Sequence, residues 1–104
     1  DRYTLYDRLG LLLRDKFEDH CGAAEAYLKA SQFPDAPSYE KRFAAYELSR
    51  CPGKEREAYE MLLKIYHMGP QEHLPTLLSR LKAMQEKLNI PEDQRVYIPP
   101  EVDH

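Results

Sequence analysis

The side chains that could do chemistry in this sequence are few and scattered. The candidate soft metal ligands are His20, Cys21, His67 and His73. Adjacent His20 and Cys21 cannot easily bind one tetrahedral zinc ion together, and His67 and His73 flank a Gly-Pro turn without the spacing of paired ligands. We therefore interpret the histidines as surface residues and predict no metal site.

Patterns that carry catalysis in other proteins are also missing. The four glycines are isolated, so there is no nucleotide-binding glycine loop. No nucleophile elbow surrounds any serine. Glu55 and Glu57 open a predicted helix, where carboxylates favour the positive end of the helix dipole. We predict that the chain is not an enzyme and uses no cofactor.

The two cysteines, Cys21 and Cys51, allow two states. A single disulfide is possible, but small secreted scaffolds usually carry denser frameworks, which favours buried or half-buried free thiols. Free thiols indicate an intracellular setting, and the cytoplasm is the expected compartment.

Charge excludes two classes of partner. The 104 residues carry a net charge of -3, and the whole acidic excess falls in residues 91–104, since the body is balanced. There is no basic surface for nucleic acid or for an anionic membrane. No apolar run approaches the roughly 20 residues of a membrane span. The chain begins at Asp1 without a methionine, so we expect a fragment of a longer protein.

Prolines and apolar spacing predict five helices, at about residues 4–17, 20–32, from Ser38 onward, 54–68 and 75–88. Thr4 and Ser38 are the predicted N-caps of the first and third helices. We predict an all-α fold of antiparallel helical hairpins stacked as a short α-solenoid, in which the fifth helix caps the end. Residues 1–90 form the domain, and 91–104 an extended, proline-rich acidic tail.

Two segments of the chain share one template. "GAAEAYLKASQFP" begins at Gly22, and the related "EAYEMLLKIYHMGP" lies one repeat later. The corresponding pairs are Ala23 and Ala58, Glu25 and Glu60, Leu28 and Leu63, and Lys29 and Lys64. A period of this length is typical of a helical repeat array.

The first unit resembles a tetratricopeptide repeat. The residues that carry the resemblance are Tyr6, Leu9, Gly10 and Leu13 in the first helix and Ala23, Tyr27, Ala30 and Pro34 in the second. In this pattern small residues such as Gly10 and Ala23 let the two helices approach, while Tyr27 and Leu9 fill the space around them.

The resemblance implies a scaffold or adaptor that binds a peptide or helix of a partner protein in a groove lined by the first helix of each hairpin. The positions carried over are Asp7, Leu11 and Arg14 from the first helix and Tyr39, Arg42 and Tyr46 from the third. Arginines beside tyrosines suit an acidic, hydrophobic peptide. Asp7 and Leu11 stand where the chaperone-tail-binding subclass needs Lys and Asn, so that ligand is not expected.

A second function stays open, in which the chain is a structural segment of a larger α-solenoid in a trafficking or transport complex, with no independent ligand. Leucines cover more than one face of the first helix, which suggests burial against another element; they are Leu5, Leu9, Leu11, Leu12 and Leu13. The tail segment "VYIPPE" could lie along the domain's own groove and occlude it, insert into a neighbouring chain, or act as a linker to a next domain. A homodimer through the first helix or the tail is therefore an open possibility.

Overall fold

The computed structural model describes residues 2–69 and 74–102. Within these ranges the helices are α1 (Arg2–Asp15), α2 (His20–Ser31), α3 (Tyr39–Leu48), α4 (Glu55–His67) and α5 (Leu74–Lys87), and a short 3-10 turn follows at Glu92–Gln94. The described residues contain no strand. Each helix packs on its neighbour in the chain, and α3 also touches α5. The predicted all-α fold is confirmed.

The helix ends agree only in part with the sequence signals. Because α1 already begins at Arg2, Thr4 lies inside it, and the prediction that Thr4 is the N-cap was wrong. The N-cap of α2 is Asp19, whose carboxylate accepts a hydrogen bond of 2.9 Å from the amide of Gly22. Ser38 does precede α3, but its side chain makes no capping hydrogen bond.

Close approach between α1 and α2 depends on Gly10, the one residue of α1 that is buried. A Cβ atom at Gly10 would lie only 2.9 Å from the ring of Tyr27, so a larger residue would force the helices apart. This confirms the predicted role of the glycine. Leu9 was predicted to fill the space beside Gly10. It does not, because 43% of its surface is exposed.

The larger apolar core lies among α2, α3, α4 and α5. Its fully buried members include Ala45, Leu62, Leu77 and Leu81. A smaller cluster between α2 and α3 is built around Tyr27, against which Leu13 of α1 packs. The domain therefore has one main core and a second, smaller cluster that holds α1.

The described part of the tail lies against the larger core. Val96, Ile98 and Val102 pack on it. The amide of Val96 donates to the side-chain carbonyl of buried Gln85 at 2.8 Å. The tail therefore docks on the chain's own domain, and the surface that it covers is the larger core. Residues 103–104 lie outside the described residues.

A disulfide joins Cys21, at the start of α2, to Cys51, just after α3. The expectation of two free thiols was wrong. Because α2 and α3 pack against each other, the beginning of α2 meets the end of α3, and the two Cα atoms come within 4.9 Å. The density of cysteines in the sequence carries no information about which helix ends meet.

Candidate functional site

The three positions predicted from α1 do not form one surface. Asp7 is half-buried and faces inward, whereas Leu11 is exposed. Arg14 pairs with its neighbour Asp15, whose Oδ1 accepts from Nε at 2.7 Å. The hydrogen bond to Asp15 raises the pKa of Arg14. Arg14 is therefore already engaged within its own helix.

The three positions predicted from α3 do share a face, since Tyr39, Arg42 and Tyr46 recur every three to four residues. Arg42 is 7% exposed, and its Nε donates to no acceptor in the described residues. The hydroxyl of Tyr46 is also buried and makes no hydrogen bond of ordinary geometry. Burial raises the pKa of Tyr46, although the nearby Arg42 guanidinium opposes the rise.

An open cleft of about 710 Å³ lies beside the start of α3, and we call it the Arg42 cleft. Tyr39 and Arg42 line it together with Lys41, with Phe33 from the α2–α3 loop and with Met68 after α4. Its described lining includes none of Asp7, Leu11, Arg14 and Tyr46. The structure thus brings two of the six predicted residues into one cavity and leaves the other four elsewhere.

Sequence reasoning missed a pair of carboxyl groups, Asp7 of α1 and Glu40 of α3. Glu40 is 0% exposed, and neither of its carboxylate oxygens receives a hydrogen bond from a donor among the described residues. Burial, reinforced by Asp7, raises the pKa of Glu40 from 4.5 to about 8. A protonated Glu40 can donate to Asp7, which removes the repulsion between two carboxylates. The sequence did hold a signal that Glu40 is buried, because it lies one helical turn before Ala44 and therefore on the same face of α3.

His20 is not the surface histidine that the sequence suggested. Its Nδ1 lies 2.6 Å from Oε1 of Glu47, a carboxylate that is almost fully buried. The contact ties the start of α2 to α3 beside the disulfide. No group of three potential ligands in residues 2–69 and 74–102 could hold a metal ion. His73, also interpreted as a surface residue, lies outside these ranges.

The outer side of α1 presents a continuous apolar surface. Leu5 is 71% exposed, Leu9 43% and Leu12 44%. Their spacing of four and three residues places them in one stripe, which we call the α1 leucine face. Exposed basic residues flank it, namely Arg2, Arg8 and Lys16. Leu11 is equally exposed but points to a different side of the helix.

No family model, no curated protein and no solved structure matches this chain. The similarity to tetratricopeptide repeats therefore remains a prediction that rests on the motif alone. In the described residues, no helix has the length and apolar character needed to cross a membrane.

Proposed function

We propose that the chain is a protein–protein interaction module, a scaffold or adaptor of the tetratricopeptide-like kind, that binds a helix of a partner protein on the α1 leucine face. The observation that carries the proposal is the exposure of Leu5, Leu9 and Leu12 along one stripe. Apolar surface of this kind marks interaction sites in folded proteins.

The spacing of the three leucines favours a helix as the binding partner. Amphipathic helices dock through anchors at positions i, i+3 or i+4, and i+7, which is the spacing of Leu5, Leu9 and Leu12. Full burial of a leucine side chain contributes roughly 1.5–3 kcal/mol. Because Leu9 and Leu12 are already more than half buried, the three leucines gain less than three full burials, and charged contacts must help to offset the cost of association.

The charges around the leucines favour an acidic partner. Arg2, Arg8 and Lys16 are exposed beside the stripe, and Asp15 is already paired with Arg14. A helix with glutamates beside its apolar stripe would complement these cations. A second copy of α1 would bring the same cations together, which disfavours a homodimer through this face.

The second candidate function is a structural segment of a larger α-solenoid within a multiprotein trafficking or transport complex. The order of packing supports it, because each helix contacts its chain neighbours in sequence, as in repeat arrays. In that setting the helix on the α1 leucine face would belong to a stacked hairpin.

The disulfide bears on the compartment of both candidates. Bonds of this kind persist in oxidising environments and are rare in the cytosol. The Cys21–Cys51 bond therefore favours an oxidising compartment over the cytoplasmic location expected from the sequence.

A matched pair of variants tests the proposed function. Leu12→Glu and Leu11→Glu change the same residue type on the same helix at 44% and 42% exposure. We expect a synthetic leucine-stripe helix flanked by glutamates to bind the wild-type chain in fluorescence anisotropy. Leu12→Glu should weaken binding about tenfold or more, and Leu11→Glu should leave it nearly unchanged. Added salt should weaken it too.

Three results would decide between the alternatives. Equal binding of a lysine-flanked helix would contradict the role of the basic residues. Equal effects of the two variants would contradict the leucine face. If no free helix binds but the chain self-associates until Leu12 is replaced, the solenoid segment becomes the better proposal.

A further inference from the structure

The Arg42 cleft has features of a ligand site that is separate from the α1 leucine face. It lies between the α2–α3 loop, the first turns of α3 and the end of α4, and its volume of about 710 Å³ is in the usual range for small-ligand sites. Phe33, Ile65 and Met68 provide apolar walls. Two cations, Lys41 and Arg42, and no acidic side chain are among its described lining residues.

Arg42 is the unusual member of this lining. Its side chain is more than nine-tenths buried, yet Nε donates to nothing in the described residues. A buried guanidinium nitrogen without an acceptor is destabilising, because it has lost water and gained no partner. The Tyr46 hydroxyl is also buried and lies beside the Arg42 guanidinium. The cleft therefore borders a buried guanidinium nitrogen that has no acceptor among the described residues.

The start of α3 adds to the positive potential. Ser38 and Tyr39 border the cleft, and the Ser38 side chain does not cap the helix. The amino-terminal end of a helix carries a partial positive charge and favours an anion. The helix end and the Arg42 side chain thus favour the same charge in one cavity.

We propose that the Arg42 cleft binds a carboxylate carried on an apolar body, with Arg42 as the residue that pairs with it. The planar fork of a guanidinium matches a carboxylate in a bidentate pair. Buried Arg42 balances one negative charge, whereas the second charge of a phosphate dianion would depend on exposed Lys41. The apolar part of the ligand packs on Phe33, Ile65 and Met68.

Two sources could supply this chemistry, an acidic side chain between apolar residues of a peptide and a small organic acid. The probes are acetyl-Leu-Phe-Glu-Leu-amide and 4-phenylbutyrate, each compared with its uncharged amide analogue. The signal of the Arg42 Nε–H group in a proton–nitrogen NMR spectrum of the full chain reports directly on the pairing atom. A shift with either acid and none with its amide supports the proposal, and the acid that produces it identifies the source.

Variants at Arg42 separate pairing from a structural role. Arg42→Met should abolish binding while leaving the melting temperature equal to or above that of the wild type, because a buried charge whose Nε has no acceptor is removed. Arg42→Lys keeps the charge without the fork and should weaken binding about tenfold. Lys41→Met, on the exposed side of the same cleft, is the control and should have a smaller effect. Leu12→Glu should have none.

The following results would overturn the proposal. The first is that neither acid shifts the Arg42 signal, and the second is that the amide analogues shift it equally. The third is that phenyl phosphate binds more tightly than both carboxylates. A lower melting temperature of Arg42→Met together with unchanged binding would show that Arg42 is a structural residue. These results are independent of the α1 leucine face, so either proposal can fail without the other.

Discussion

Glu40 and Asp7 place two carboxyl groups in the space between α3 and α1. Burial and the neighbouring Asp7 raise the pKa of Glu40 to about 8. Tyr27 of α2 and Tyr39 are the other titratable side chains that sense this pair; burial raises the pKa of both, that of Tyr27 to about 12. Burial and the neighbouring Asp7 favour the neutral form of Glu40 at neutral pH, and in that form Glu40 can donate its proton to Asp7.

Stability should therefore fall as pH rises across a defined window. Unfolded Glu40 releases its proton near its ordinary pKa of 4.5, whereas folded Glu40 keeps it until about 8. Between these values the folded state binds more protons, so the free energy of unfolding decreases as pH increases. Glu40→Gln, which can still donate to Asp7, should remove this dependence and stabilise the fold by roughly 2–3 kcal/mol near pH 8.

Urea unfolding at pH values near 4.5 and near 8 measures the effect. Glu60→Gln, at an exposed position of α4, is the matched control and should retain the wild-type pH dependence. An unchanged pH dependence in Glu40→Gln would show that Glu40 does not carry the buried proton.

At the scale of elements, α2 and α3 are joined at one end by two long-range contacts. The disulfide links Cys21 to Cys51, and the His20–Glu47 contact lies beside it. Both depend on the start of α2 meeting the end of α3. α1 is held differently, by the close contact of Gly10 with Tyr27 and by a small apolar cluster.

Breaking the disulfide should cost much of the stability of this pairing. The bond closes a loop with a sequence separation of 30, and the loss of loop-closure entropy in the unfolded chain corresponds to about 3–4 kcal/mol. We expect the Cys21→Ser/Cys51→Ser variant, or the wild type under reductant, to unfold at a clearly lower temperature. Reductant should have no effect on the double-serine variant. Two reactive thiols in the native, unreduced chain would contradict the bond.

What the sequence could predict at this scale was local. Helix positions followed from apolar spacing and prolines, and Gly10 from its place in the repeat motif. The disulfide, the Asp7–Glu40 pair and the His20–Glu47 contact could not be predicted, because each joins residues of different helices. Tyr39 and Arg42 could be placed together because they lie on one helix face. Grouping these two residues with Asp7, Leu11 and Arg14 required an open groove between α1 and α3. In the structure Arg14 instead pairs with Asp15, and Asp7 lies against Glu40.

Seen as a whole, the molecule covers its apolar surface unevenly. On the side of the larger core, Val96 and Ile98 of the tail shield buried residues, and Gln85 fixes the tail by accepting from the Val96 amide. At the amino-terminal helix, the α1 leucine face is left more open, with Leu5 71% exposed. The sequence indicated the excess of leucines in α1, but the placement of the tail depends on tertiary contacts, namely its apolar packing on the larger core and the hydrogen bond to buried Gln85.

The tail is therefore expected to act as part of the fold rather than as a free segment. Ile98 packs on the larger core, while its neighbour Tyr97 is 75% exposed. Ile98→Asp would bring a charge against apolar side chains, so it should either expose the core or lower the free energy of unfolding by about 1–3 kcal/mol. Tyr97→Asp, one residue away, should change it by no more than about 0.5 kcal/mol.

Thermal unfolding compares the two variants, and amide hydrogen exchange locates the change. Protection should be lost first at the Val96 amide and then in α5, because the Gln85 contact is the link between the tail and the helix. If Ile98→Asp and Tyr97→Asp behave alike, the tail does not contribute to stability, and the surface it covers would be a second apolar face open to partners.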